Sequence, residues 1–268
     1  KMPLGVDVPD DSEHVMYVWF DALINYISTL GWPHNEKQFK DFWPGMQVAG
    51  KDNLRQQTAI WQAMLLSAGL PNSKQVFIHG FMTVDGQKIS KSLGNVVNPI
   101  EMAEKYGTDA LRYYLLAKVH PYEDSDFSEE KLKLAYNGDL ANGLGNLVSR
   151  VAKLCEKNEL DFSKSPQPEI KTPILAQEYY SIALNRFEFH FALEEIWKEI
   201  KKLDVDINDK KPWEQSGEGV KQLLREYVRN ILNIAYALQP FLPETAEKIT
   251  KQFTADKITS AKPLFPRI

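Results

Sequence analysis

Met46-Gln47-Val48-Ala49, a helical stretch from Leu54 to Ala68, then Val76-Phe77-Ile78: this succession decides the fold of the first third of the chain. The two flanking runs are short, rich in β-branched or aromatic residues, and bounded by Pro, Gly or charge. They read as buried strands. Gly69 and Pro71 stop the helix between them. Strand, helix and strand at this spacing indicate parallel strands joined by a crossover helix. Upstream, Val15-Met16-Tyr17-Val18-Trp19 reads as a further buried strand by the same criteria. Downstream, Phe81 to Lys88 contains Asp85-Gly86, a hairpin turn. A loop runs from Lys88 to Asn98, and Pro99 takes a first helical position. From Tyr136 onward the apolar repeat is helical. Leu140, Leu144, Leu147, Val151 and Leu154 form one stripe, and Phe189, Leu193, Ile196, Trp197 and Ile200 another. Val220, Leu223, Leu224, Tyr227, Ile231, Ile234 and Leu238 form a third, ended by Pro240. Helices of this kind make a bundle, with the proline-bearing stretch Ser163 to Pro173 as a loop inside it. The expected class is α/β followed by an all-α helical bundle.

The chain has 268 residues, enough for one large domain or two smaller ones. Its formal net charge is -4. No segment is bulk-basic, so binding of nucleic acid would need a local site and not a general electrostatic footprint. The single cysteine, Cys155, excludes an internal disulfide framework and a multi-cysteine zinc site. No apolar run approaches the roughly 18 residues that span a bilayer, and Lys1 to Gly5 lack the apolar stretch of a signal peptide. A reducing, cytoplasmic setting without membrane attachment is expected.

Lys88-Ile89-Ser90-Lys91-Ser92, followed by Leu93-Gly94-Asn95, carries the clearest chemistry. Two ammonium groups balance phosphate charge, while hydroxyls and backbone N–H groups donate hydrogen bonds. Read alone, the pentapeptide fits either a polyphosphate loop or a solvated one. Trp19, Tyr26 and Trp61 fit either a core or a ligand wall. Asp52, following Gly50-Lys51 at a strand end, fits a ligand-contacting carboxylate or a helix cap. His79 is a strand-end histidine that serves a nucleotide or simply its own backbone. His14, His34, His120 and His190 have no neighbours at metal-ligand spacing, so no metal site is expected.

The pentapeptide resembles the Lys-Met-Ser-Lys-Ser signature of class I aminoacyl-tRNA synthetases, with Ile89 an apolar anchor of similar size to Met. Phe77-Ile78-His79-Gly80-Phe81 resembles the strand before that signature, and Gly107-Thr108-Asp109-Ala110-Leu111-Arg112-Tyr113-Tyr114 the helix after it. Other segments resemble the methionyl-tRNA synthetases in particular. These are Tyr17-Val18-Trp19-Phe20-Asp21-Ala22-Leu23-Ile24-Asn25-Tyr26, Gly50-Lys51-Asp52 with Trp61, and Asp139 through Leu147 to Arg150. Gln56 and Gln57 depart from the pattern, which has an aromatic residue and then His there. Glutamine hydrogen-bonds but neither stacks nor titrates.

The resemblance implies the second half of a Rossmann-type catalytic domain over residues 1–80, and a signature loop with a stem-contact region over 81–135. It implies an anticodon-binding bundle over 136–268. It implies activation of methionine by ATP with magnesium, without zinc in this chain, and transfer of the methionyl group to tRNA(Met). Lys88 and Lys91 would be catalytic, and Gly50, Asp52, His79, Gly80, Ser90 and Ser92 would join them in binding ATP. Trp19, Ala22, Tyr26, Asn53, Gln57 and Trp61 would hold methionine. Asn142, Asn146, Arg150, Pro212 and Trp213 would read the anticodon. The family's other signature, His-x-Gly-His, does not occur in the sequence, so a missing N-terminal catalytic half is expected to be needed for activity. The alternatives are a noncatalytic tRNA-binding module and a class I enzyme for valine, isoleucine or leucine.

Overall fold

A computed structural model describes residues 5–84, 86–89, 94–163 and 178–268. Its tertiary contacts divide the chain into two units, one ending at Phe81 and the other starting at Met82.

In the first unit, β1 (Asp7–Val8) and β2 (Asp11–Val15) form a short antiparallel ribbon. Helices α1 (Val18–Ser28) and α2 (Glu36–Phe42) follow, then β3 (Met46–Gly50). The crossover comprises a tight turn at Lys51–Asn53, a wide π-helical stretch at Gln56–Ile60 and α3 (Trp61–Ser67). It returns the chain to β4 (Gln75–His79), which runs parallel to β3 with Gln47 opposite Val76 and Gly50 opposite His79. Gly69, at φ +69°, makes the left-handed exit from α3 that other residues resist. The core is small: Leu23, Ile27, Phe39, Trp43, Trp61 and Leu65.

The strand expected at Val15 to Trp19 does not form. β2 stops at Val15 and a helix opens at Val18. Met16, Tyr17 and Val18 are exposed. A short apolar run satisfies either period, and here helical spacing wins because Trp19, Leu23 and Ile27 repeat every four residues toward one core.

The second unit begins with a hairpin of β5 (Met82–Val84) and β6 (Gln87–Lys88), Val84 opposite Gln87. Its turn contains Gly86 at φ +70°, as the Asp85-Gly86 reading required. Helix α4 (Pro99–Tyr106) starts with Pro99 in its first turn and the Asn98 side chain accepting from the Ile100 N–H at 3.0 Å. Then come α5 (Thr108–Ala117), β7 (Ser125–Phe127), which pairs parallel with β5, and α6 (Glu129–Ala135). A π-helical stretch, Tyr136–Gly145, leads into α7 (Asn146–Lys157). Helices α8 (Glu178–Asn185), α9 (Phe189–Lys210), α10 (Glu218–Leu238) and α11 (Pro243–Phe253) complete the bundle. One continuous core runs from Tyr106 to Phe265 and contains every residue of the first stripe. Asp109 and Arg112 on α5 clip the corner between α10 and α11. The buried Asp109 carboxylate accepts from the Thr245 N–H at 2.6 Å, and Arg112 donates to the Phe241 and Pro240 carbonyls at 2.7 and 2.8 Å. Among the described residues no helix is long and apolar enough to cross a membrane.

Candidate functional site

The carboxyl ends of β3 and β4 lie side by side, the place where parallel α/β sheets put their ligands. Gly50 lies close to both polar groups: a Cβ on it would meet an Asp52 carboxylate oxygen at 2.9 Å and the His79 ring at 3.5 Å, so a side chain there would push Asp52 aside. The His79 Nδ1 donates to the Gly80 carbonyl at 2.8 Å. That bond leaves Nε2, in the neutral ring, free of the proton and able to accept. Asp52 and His79 are exposed, and Gly80 is buried. Asn53 sits half-buried beside them, its amide 3.4 Å from the Asp52 carboxylate. A carboxylate, a ring acceptor and close backbone are thereby assembled, an edge that can accept from hydroxyl and amino groups.

The first unit also brings together its aromatic candidates. Trp19, Ala22 and Tyr26 are spaced three and four along α1 and share one helix face. Trp61 is fully buried, with its ring 5.9 Å from Tyr26 and 6.1 Å from Trp43. It forms the floor of that wall and a part of the core at once. Tyr26 remains 36% exposed. Gln57 is buried and donates to the Tyr26 hydroxyl at 3.0 Å, so it reaches any ligand only through Tyr26. Gln47 and Gln62 complete its hydrogen bonding, and Ser73 bonds both of them in turn; none of the three was singled out from the sequence. A glutamine in the middle of the apolar β3 run was the one signal of that network.

In the second unit Lys88 ends the hairpin and is exposed. The Asn95 amide donates to its carbonyl at 3.2 Å. Ser90, Lys91 and Ser92 lie outside the described residues.

The RNA-reading candidates fall into two groups. Arg150 and Trp213 meet: the guanidinium lies 4.9 Å from the indole centroid. Arg150 also donates to Asp204 at 3.0 Å and to Asn208 at 2.6 Å, both on α9. Trp213 is 39% exposed, held in a tight turn (Pro212–Glu214) that follows Lys211 at φ +44°. Asn146 is exposed one turn before Arg150 on α7. Asn142 accepts from Arg267 at 2.7 Å, and Pro212 is buried as the scaffold of the turn. Asp204 and Asn208 escape a sequence reading because nothing local ties them to Arg150. Cys155 is buried, its thiol pushed up to about 12, and offers no nucleophile. Among the described residues no group of three or more His, Cys, Asp or Glu is placed to hold a metal ion.

This arrangement has clear relatives. The family model for tRNA synthetases class I (M) matches residues 1–152. A methionine–tRNA ligase of Thermotoga maritima is 38% identical over 97% of this chain and 43% of its own length. One of Clostridium acetobutylicum is 36% identical over 98% of this chain and 46% of its own length. The crystal structure of Mycobacterium tuberculosis methionyl-tRNA synthetase bound by methionyl-adenylate superposes with a TM-score of 0.83 at 30% identity, covering 98% of this chain and 58% of that one. The chain thus spans about half the length of the curated relatives it matches. By motif, fold and sequence, the chain belongs to the class I tRNA synthetases of the methionyl type.

Proposed function

We propose that the chain works as a segment of a cytoplasmic methionine–tRNA ligase. In the full-length ligase the methionine carboxylate attacks the α-phosphate of magnesium-bound ATP, pyrophosphate leaves, and the methionyl group passes from the adenylate to tRNA(Met). Gly50, Asp52, His79 and Gly80 receive the nucleoside. Lys88, Ser90, Lys91 and Ser92 meet the phosphates, the two lysines most strongly as charge grows on departing pyrophosphate. Trp19, Ala22, Tyr26 and Trp61 wall the amino-acid side chain, with Asn53 and Gln57 behind them. Thioethers favour such aromatic walls. Residues 136–268 read the anticodon through Asn142, Asn146, Arg150 and Trp213, with Pro212 setting the tryptophan. Residues 81–135 carry the signature loop and meet the acceptor stem.

The observation that carries this reading is the convergence of Gly50, Asp52 and His79 at the carboxyl ends of two paired parallel strands, because a pure RNA-binding module has no use for a ligand-facing strand end of this kind. The test is methionine-dependent ATP–pyrophosphate exchange. Lys91→Ala in the full-length ligase should lower the exchange rate by about 10²–10³-fold, with methionine affinity kept. The 268-residue chain by itself, which has no His-x-Gly-His, should stay at background. Exchange supported by valine, isoleucine or leucine would move the specificity within the class. A second reading, a noncatalytic tRNA-binding module, draws on the self-contained core of residues 82–268. Unaltered exchange in Lys91→Ala, together with tRNA binding by the 268-residue chain, would decide for it.

A further inference from the structure

Tyr26 stands at the end of a chain of hydrogen bonds whose direction the backbone dictates. Gln62 on α3 is held at both ends of its amide by main-chain groups. Its Oε1 accepts from the Ser73 N–H at 3.1 Å, and its Nε2 donates to the Gln57 carbonyl at 2.8 Å. Only one orientation of the amide satisfies both. The same Nε2 donates to Ser73 Oγ at 3.0 Å, so the hydroxyl proton is free to go onward. It goes to Gln47 Oε1 at 2.6 Å, a separation usual for O–H···O and short for N–H···O. With its oxygen committed, Gln47 donates through Nε2 to Gln57 Oε1 at 3.1 Å. With that oxygen committed in turn, Gln57 donates through Nε2 to the Tyr26 hydroxyl oxygen at 3.0 Å. Gln47 is 5% and Gln57 2% exposed, so neither can turn over without stranding a buried polar atom.

We propose that Gln62, Ser73, Gln47 and Gln57 are positioning residues that fix Tyr26 as a hydrogen-bond donor on its open side, and so favour an amino-acid side chain that ends in an acceptor. The ligand half of this inference rests on reading Tyr26 as part of the methionine wall. The inner side of the phenol is already used as acceptor, and its proton points outward. Consecutive bonds of one polarity also strengthen one another. A thioether sulfur is a weak acceptor. The all-carbon isostere norleucine fills the same space and leaves the proton unpaired, which sets the expected discrimination at about tenfold.

Gln57→Glu reverses the last link, because a carboxylate only accepts and draws the Tyr26 proton inward. Gln57→Leu cuts the link and serves as a second variant, with far-UV circular dichroism as the check on folding of both. The polarity itself is read on the 268-residue chain without substrate, as the tyrosine C–O stretch in infrared difference spectra against Tyr26→Phe. The expected spectrum is that of a phenol accepting a hydrogen bond, turning to that of a purely donating phenol in Gln57→Glu. A purely donating phenol in the parent would overturn the relay, whatever the substrate. Selectivity is read in the full-length ligase as kcat/KM for methionine over norleucine. Gln57→Glu should lose about tenfold of that ratio through a raised methionine KM, with kcat little changed. An unchanged ratio alongside the expected spectra would overturn the selective role. An unchanged methionine KM in Tyr26→Phe would instead remove Tyr26 from the substrate wall, and only the wall reading would fall.

Discussion

Residues 82–268 bury most of their large apolar side chains in one continuous core, whereas residues 5–81 bury six in a cluster and leave much of the rest on view. The contrast is sharpest on β3. Met46 and Val48 are 57% and 61% exposed on a strand whose parallel pairing normally goes with cover on both faces. Phe20, Phe42 and Leu66 are likewise exposed, and an apolar cavity of about 580 Å³ opens between α1 and α3. The unit that holds Gly50, Asp52 and His79 is thus the one with the smaller apolar core of its own.

The largest expected effect tests that contrast. Leu144 is fully buried in the second unit. Leu144→Ala should lower the stability of that unit by about 2–5 kcal/mol, from lost burial and the cavity left behind. Amide hydrogen exchange resolves the two units. Protection should fall across α7, α9 and α10 and stay unchanged around Trp61 and Leu65. In the parent, α1 and α3 should exchange faster than α10. Equal protection in both units, or a loss shared by both on Leu144→Ala, would abolish the comparison.

A smaller effect sharpens it from the functional side. On the proposed function, the surface of the second unit is where RNA would be read. Arg150 is already compensated by Asp204 and lies against Trp213, which suits stacking and base edges better than phosphate. Trp213→Ala should weaken binding of a tRNA with a CAU anticodon by about 1–3 kcal/mol, with little change in thermal stability. Other tRNAs should lose far less. Arg150→Lys keeps the charge and loses the planar fork, so it should follow Trp213→Ala. Equal losses for every tRNA would reduce the pair to general RNA contact.

How much of this was legible follows the range of the interactions. The parallel strands, the hairpin at Gly86, the first helix stripe and the Pro99 start are local patterns and appear where the sequence places them. The strand expected at Val15 to Trp19 failed because five apolar residues fit either period. The π-helical stretch was invisible for a related reason. Tyr136, Leu140, Ala141, Leu144 and Gly145 are buried at spacings of four and five, a wider pitch than the 3.6 residues looked for. At the candidate site, Asp52 and His79 drew notice as strand-end residues, and the family resemblance added Gly50. The groups that hold Arg150, and those that stand behind the Gln57–Tyr26 bond, could not be named, since Asp204, Asn208, Gln47 and Ser73 reach their places only through tertiary packing.

The smallest expected effect comes from a pair of histidines in the second unit. The His190 ring lies 5.5 Å from that of His120 and 4.0 Å from Phe191, and its Nδ1 is buried without a hydrogen-bond partner. Burial first, and the neighbouring His120 second, hold its pKa below the ordinary value of 6.5, against a weaker pull upward from Glu188 and Glu194. The unfolded chain therefore takes up this proton more readily than the folded one. Stability from His190 is present in full above pH 6.5 and is lost as the pH falls through the lowered folded value. The neighbouring His120 ring is anchored there, its Nδ1 accepting from the Tyr122 and Glu123 N–H groups at 3.2 and 3.0 Å. Urea midpoints taken from pH 7.5 down to pH 5, across the usual histidine range, should fall in the parent and fall less in His190→Phe. The change should register at α9 and its neighbours and leave α1 and α3 of the first unit unmoved. If the two proteins lose stability in parallel over that interval, His190 does not carry the effect and acid sensitivity belongs elsewhere in the bundle.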